Sequence, residues 1–158
     1  MRPGPRGRRG QSLVELALAL PVLLWLACGL LDLGRAYYFA ILVTDSARDG
    51  ARMLSTNTGG YGPGAAAGCA AVKAATTNAS SSPTCPTTTT SPGAGALLVG
   101  ISCPDSDACV GSASTSEHNQ PVTVDVYYGF RVITPLIAQL VPSGVITLHG
   151  RAVMNASW

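Results

Sequence analysis

Between Leu16 and Leu31 the chain carries no charged or polar side chain, and this run constrains the fold more than any other feature. With Ser12 to Glu15 added, the segment is about 20 residues long, which at ~1.5 Å per residue is close to one bilayer crossing. Four arginines, Arg2, Arg6, Arg8 and Arg9, precede it, and no basic residue lies just after it. Positive charge before the span predicts a single pass with the N-terminus in the cytoplasm and the rest of the chain outside. Glu15 stands alone as a carboxylate at the edge of that span.

Beyond the leader the balance of charge changes sign. Of ten basic residues four lie in residues 1–10, so the body has six against eight acidic residues. It offers no basic patch, which argues against nucleic acid as a partner. Cys28 falls inside the apolar run, whereas Cys69, Cys85, Cys103 and Cys109 all follow it. Four cysteines on the far side of a membrane are read as two disulfides, with three possible connectivities. Proximity favours Cys69 with Cys85 and Cys103 with Cys109. No C-x-x-C pair occurs, and neither His118 nor His149 stands beside the cysteines, so no metal site is expected.

The helical pattern continues past the span. Leu33, Tyr37, Ala40, Ile41, Thr44, Ala47, Ala51 and Leu54 recur at helical steps, and the opposite face carries Asp32, Arg35, Asp45, Arg48, Asp49 and Arg52 in i, i+3 pairs. One helix from Ser12 to about Ser55 would be roughly 65 Å long, with a kink at Pro21, and would end at the Thr56 to Gly64 run. Residues 65–79 are alanine-rich and suit a short helix carrying Cys69. Residues 80–95 are Ser/Thr/Pro-rich, without an apolar face, and are read as an exposed loop held only by Cys85. Two sequons, Asn78-Ala79-Ser80 and Asn155-Ala156-Ser157, are read as chance.

Strand alternation follows over Ala96 to Cys103, over Val122 to Tyr128, and over Ile146 to Met154, with a short helix or turn expected over Ile133 to Val141. Three strands with one apolar face need a cover, and the long helix is the large candidate. The expected fold is therefore α+β: a long N-terminal transmembrane helix continuing outside the membrane and packed on a small antiparallel sheet of about three strands. Its expected divisions are a basic leader (1–10), a transmembrane helix (11–33), an extracytoplasmic extension (34–55), a Gly/Ala/Ser/Thr/Pro-rich loop region (56–95) and a small β-rich domain (96–158).

The order of basic leader, Gly10, a glutamate five residues later and an apolar helix resembles the processing site of type IV prepilins. The segment RRGQSLVELALALPVLLWLACGLLDLGRAYYFAILVTDSARDGARMLS resembles the TadE-like proteins, minor pseudopilins of the tight-adherence (Flp, type IVb) pilus system, through Gly10, Glu15, Pro21, Asp32, Gly34-Arg35 and residues 47–52. That resemblance implies cleavage between Gly10 and Gln11 by a membrane prepilin peptidase, leaving Glu15 as residue five of the mature chain. It also implies other pilin or pseudopilin subunits, assembly machinery and membrane lipid as partners, and location in a bacterial cytoplasmic membrane. A carboxylate within an apolar helix costs on the order of 2 to 3 kcal/mol at mid-membrane, and less near the interface. Pairing with a neighbouring subunit's free α-amine would offset that cost and set the register of assembly. The chain departs from many type IVb pilins in placing Leu16, not an aromatic residue, after the glutamate.

Rival readings have weaker support. Trp25-Leu26-Ala27-Cys28 partly matches a lipobox, but Trp25 stands where an aliphatic residue is expected; Arg8-Arg9 lacks the rest of a twin-arginine signal. An uncleaved signal-anchored or lipid-anchored protein with an adhesion or interaction role is the alternative. No catalytic residue, cofactor or small-molecule substrate is expected: His118 and His149 have no positional link to a nucleophile. Asp32, one turn from Arg35, is read as half of a solvated ion pair.

Overall fold

A computed structural model describes residues 8–56, 61–80, 82–102, 121–134, 139 and 141–156. Helix α1, Arg8–Thr56, runs for 49 residues and continues through Pro21. At ~1.5 Å per residue it is about 73 Å long, roughly twice the thickness of a hydrocarbon core. Every residue from Gly10 to Cys28 is exposed, and none of the helix's most apolar stretch is buried within the chain. In length and composition this half is able to cross a membrane.

Burial begins at Asp32. From there Asp32, Ala36, Phe39, Val43, Ala47, Gly50 and Leu54 turn inward at steps of three and four residues. This face differs from the expected one over its first three turns: Leu33, Tyr37 and Ile41 are 67%, 69% and 45% exposed, while Phe39 and Val43 face the sheet. Periodicity did not set the phase there because apolar side chains surround the helix on all sides up to Val43, so two stripes fit equally well. From Ala47 onward the expected and observed faces coincide.

Helix α2, Tyr61–Ala75, begins four residues before the expected start, with Pro63 in the first turn, where its missing N–H leaves no hydrogen bond unmade. It closes at Thr76, whose hydroxyl donates to the Val72 carbonyl at 2.6 Å. The two helices meet backbone to backbone. A Cβ on Gly50 would lie 2.6 Å from Val72 Cγ2, and one on Gly68 would lie 3.0 Å from the Gly50 carbonyl oxygen.

Strands β1 (Leu97–Ser102), β2 (Pro121–Arg131) and β3 (Val145–Asn155) form an antiparallel sheet in the order β1-β2-β3. The fold is thus α+β, a long apolar N-terminal helix with a three-stranded antiparallel sheet. Val99 pairs with Val126 and Val126 with Gly150, so the inward parities of the three strands align. Leu97, Val99, Val122, Val124 and Val126 are almost wholly buried in the core between the sheet and the two helices. Residues 84–87 are held by more than Cys85. Thr84 N donates to Leu97 O at 3.0 Å, Val99 N to Thr84 O at 2.9 Å and Thr87 N to Val99 O at 2.9 Å. The free edge of β1 needs partners for its backbone groups, a demand that the loop's own composition does not reveal. Most of the segment expected as a helix or turn over Ile133 to Val141 lies outside the described residues; it is followed by a short 3-10 turn at Pro142–Gly144.

Contact between α1 and the sheet combines bulk at one end with closeness in the middle. Phe39 stacks on Tyr128 at 4.8 Å between centroids and lies 6.0 Å from Phe130. Burial pushes the Tyr128 phenol above its ordinary pKa, opposed in part by the Arg35 cation. A phenol whose folded-state pKa is raised contributes stability below its unfolded value, and that contribution is lost as pH rises through the folded value. Alkaline unfolding titrations should show stability falling above about pH 10, with a shallower fall for Tyr128→Phe. At Gly150 the helix backbone leaves no room for a side chain, since a Cβ would come within 2.6 Å of the Val43 carbonyl oxygen. Gly150→Ala should cost about 1–3 kcal/mol of overpacking in denaturant melts of the full chain in detergent, whereas Val153→Ala, on the exposed face of β3, should stay within roughly 0.5 kcal/mol.

Candidate processing and assembly site

The first two turns of α1 carry Gly10, Gln11 and Glu15, all exposed. Gln11 Nε2 donates to Glu15 Oε1 at 3.4 Å, one turn apart. Among the described residues no cation pairs with this carboxylate, and the side chains around it, Leu13, Val14, Leu16 and Leu18, are 57–73% exposed. A Cβ placed on Gly10 meets nothing within 4 Å, in contrast to Gly50, Gly68 and Gly150, which close packing requires. Among the described residues nothing asks for glycine at position 10.

At the other end of the apolar run Asp32 departs from its expected role. Its side chain is only 7% exposed. Oδ2 accepts from Ile133 N at 3.1 Å, from Thr134 N at 2.7 Å and from the Thr134 hydroxyl at 2.6 Å, while Arg35 Nη1 lies 3.5 Å from Oδ1. The Arg35 guanidinium sits 5.4 Å from the Phe130 ring centroid. The ion pair with Arg35 exists, but the carboxylate is a buried clamp on the backbone that follows β2, not a solvated group. Asp45 and Arg48 do form an exposed ion pair at 3.1 Å. In sequence the signal for Asp32 was its phase: it stands four residues before Ala36, at the head of the buried stripe.

Cys69 and Cys85 are disulfide-bonded, with Cα atoms 6.0 Å apart, and tie α2 to the segment along β1. Cys28 is a free, exposed thiol within α1. Cys103, Cys109 and His118 lie outside the described residues. His149 is placed on the outer face of the sheet, with Nε2 2.8 Å from Asp125 Oδ1 and its ring stacked on Tyr127 at 4.5 Å; Arg151 Nε lies 3.8 Å from the same oxygen. This cluster pairs its own charges across adjacent strands. Among the described residues no three His, Cys, Asp or Glu side chains converge as a metal site would require.

The glycine, the glutamate, the apolar helix and the buried Asp32 all fall within one stretch that matches a family model, that of the TadE-like protein, over residues 10–52. Over residues 10–52 the chain is similar to the TadE-like family. The match takes in most of α1 and ends before α2 and the sheet. No curated protein and no solved structure matches the chain. Within the TadE-like segment Asp32 provides a sharp test of how helix and sheet are held together. Asp32→Ala leaves three donors without their acceptor, and a hydrogen bond to a charged group contributes about 1.5–3 kcal/mol. The variant should lose at least that much stability in denaturant melts and lose amide-exchange protection at Thr134, while Asp45→Ala, at an exposed pair, should change stability by less than about 1 kcal/mol.

Proposed function

We propose that the chain is a prepilin-like, membrane-anchored component of a tight-adherence pilus or a related secretion machinery, matured by cleavage between Gly10 and Gln11. The observation that carries this reading is the pairing of an exposed Gly10, which packs against none of the described residues, with a Glu15 that has no cationic partner among them, on an exposed apolar helix inside a TadE-like segment. A prepilin peptidase supplies the external requirement for a small residue at position 10. Cleavage would give Gln11 a free α-amine four residues before Glu15, free to pair with the glutamate of a neighbouring subunit, so each subunit brings one charge of either sign to the apolar layer. Pairing them between subunits removes the cost of both charges together and sets axial register.

Topology follows from the same segment. The arginine leader stays in the cytoplasm, α1 spans the bacterial cytoplasmic membrane once, and α2 and the sheet stand outside, where an oxidising compartment suits the Cys69–Cys85 disulfide. Leu33, Tyr37 and Ile41 leave an apolar stripe on the outer half of α1, available to the helices of other pilin or pseudopilin subunits. The role is structural and not enzymatic. Mass spectrometry of membrane extracts from the native host should find a chain that begins at Gln11; a chain beginning at Met1 would instead support an uncleaved signal anchor. Glu15→Ala should leave the amount of protein in the membrane unchanged yet lower its incorporation into pili or assembly complexes by roughly tenfold or more, the equivalent of ~1.4 kcal/mol of lost pairing. Unchanged incorporation would remove the assembly role of Glu15.

A further inference from the structure

We infer that in the membrane-inserted subunit the lower end of the sheet domain lies in the headgroup layer of the bilayer, with Ile133 entering that layer and Arg35 and Arg131 meeting lipid phosphates. The inference rests on the reading of α1 as a membrane span. Heights along α1 carry over to the sheet because the two are joined at successive levels: Asp32 holds Ile133 and Thr134, Phe39 stacks on Tyr128, Val43 touches Gly150, Gly50 faces Val124, and Ser55 reaches Met154. Accordingly β2 runs back toward the span and β3 runs away from it. Asp32 directly follows Leu31, the last residue of the apolar run, so residues 131–134 stand at the level where the hydrocarbon ends.

What the domain presents at that level is suited to lipid. Ile133 is 68% exposed, although its neighbours Val132 and Thr134 are 6% and 7% exposed. Two backbone hydrogen bonds fix the peptide units on either side of it to the helix, so the exposed position of this large apolar side chain is built into the fold. Arg131 is exposed and the Arg35 side chain is 45% exposed, whereas the Asp32 carboxylate, which accepts from Ile133, Thr134 and Arg35, is buried and neutralises only one of these two cations. The charge left facing outward at this level is therefore positive, complementary to phosphate. Tyr37 and Tyr38, 69% and 51% exposed, follow within about 9 Å of Asp32 along the axis, within the depth of an interfacial layer. Amphipathic rings, basic side chains and one protruding aliphatic group are the set that partitions into that layer.

Tryptophan quenching by brominated lipid in the full chain, held in nanodiscs of phosphatidylcholine and phosphatidylglycerol, tests the inference. Three single-tryptophan proteins are compared: native Trp25 with Trp158→Phe; Ile133→Trp with both native tryptophans changed to Phe; and Val153→Trp in that same background, near the level of Ser55. Emission from position 133 is expected to be blue-shifted and quenched by bromine close to the headgroup more than by bromine deep in the chains, with position 153 unquenched and Trp25 quenched deeply. Position 133 unquenched beside a deeply quenched Trp25 would overturn the inference and leave the span intact. An unquenched Trp25 would overturn the span and this inference with it. If Ile133→Trp loses amide-exchange protection across β2, Arg131→Trp reads the same level from an exposed site, and its failure to be quenched counts equally against the inference.

Discussion

One continuous helix must be apolar toward its surroundings along its first half and apolar toward its own chain along its second, and Asp32 stands where that change is made. Before it, residues 10–28 have no contact with a core. After it, one stripe of the same helix is the floor on which the sheet is laid. Among the described residues nothing covers the first half of the helix, whose length and composition are sufficient to cross a membrane. The buried carboxylate marks the boundary physically, because two of its three donors are backbone amides that would otherwise be left without partners.

Small residues decide how tightly the remainder fits. Gly50 and Gly68 let α2 lie on α1, and Gly150 lets the central turns of α1 press on the sheet at the level of Val43. Larger residues do the opposite nearer the boundary, where Phe39, Tyr128 and Phe130 fill a wider gap and Arg35 covers them. At the boundary itself the backbone after β2 returns to the helix, within hydrogen-bonding reach of Asp32. The Cys69–Cys85 bond and the backbone pairing of residues 84–87 with β1 then seal the one edge of the sheet to which a Ser/Thr/Pro-rich segment is adjacent.

The residues proposed for processing and assembly are separate from this packing. Gly10, Gln11 and Glu15 lie about 25 to 33 Å along the helix from Asp32 and take no part in the core. Their spacing could be read from the sequence for that reason, since spacing along one helix needs no tertiary contact. Asp32 was misread as solvated because an i, i+3 arginine is a sufficient local explanation for a carboxylate, and its true partners are more than 100 residues away. Gly150 and His149 had no local signal at all, since each is explained only by what the sheet brings opposite to it.

Local rules were sufficient for the exposed apolar helix, the strand parities of Leu97, Val99, Val122, Val124 and Val126, and the end of α1 at Thr56, because hydrophobic period and turn residues act over a few neighbouring positions. They were insufficient for the phase of α1 between Leu33 and Val43. A helix segment that is apolar on every side has no preferred face until bulky partners arrive from elsewhere in the chain. Tertiary structure alone chose Phe39 and Val43 over Tyr37 and Ile41, turned Asp32 inward and placed Ile133 at the end of the apolar run. The reason is the same in each case: these outcomes depend on contacts whose partners are distant in sequence, and such contacts exist only once the sheet has closed on the helix.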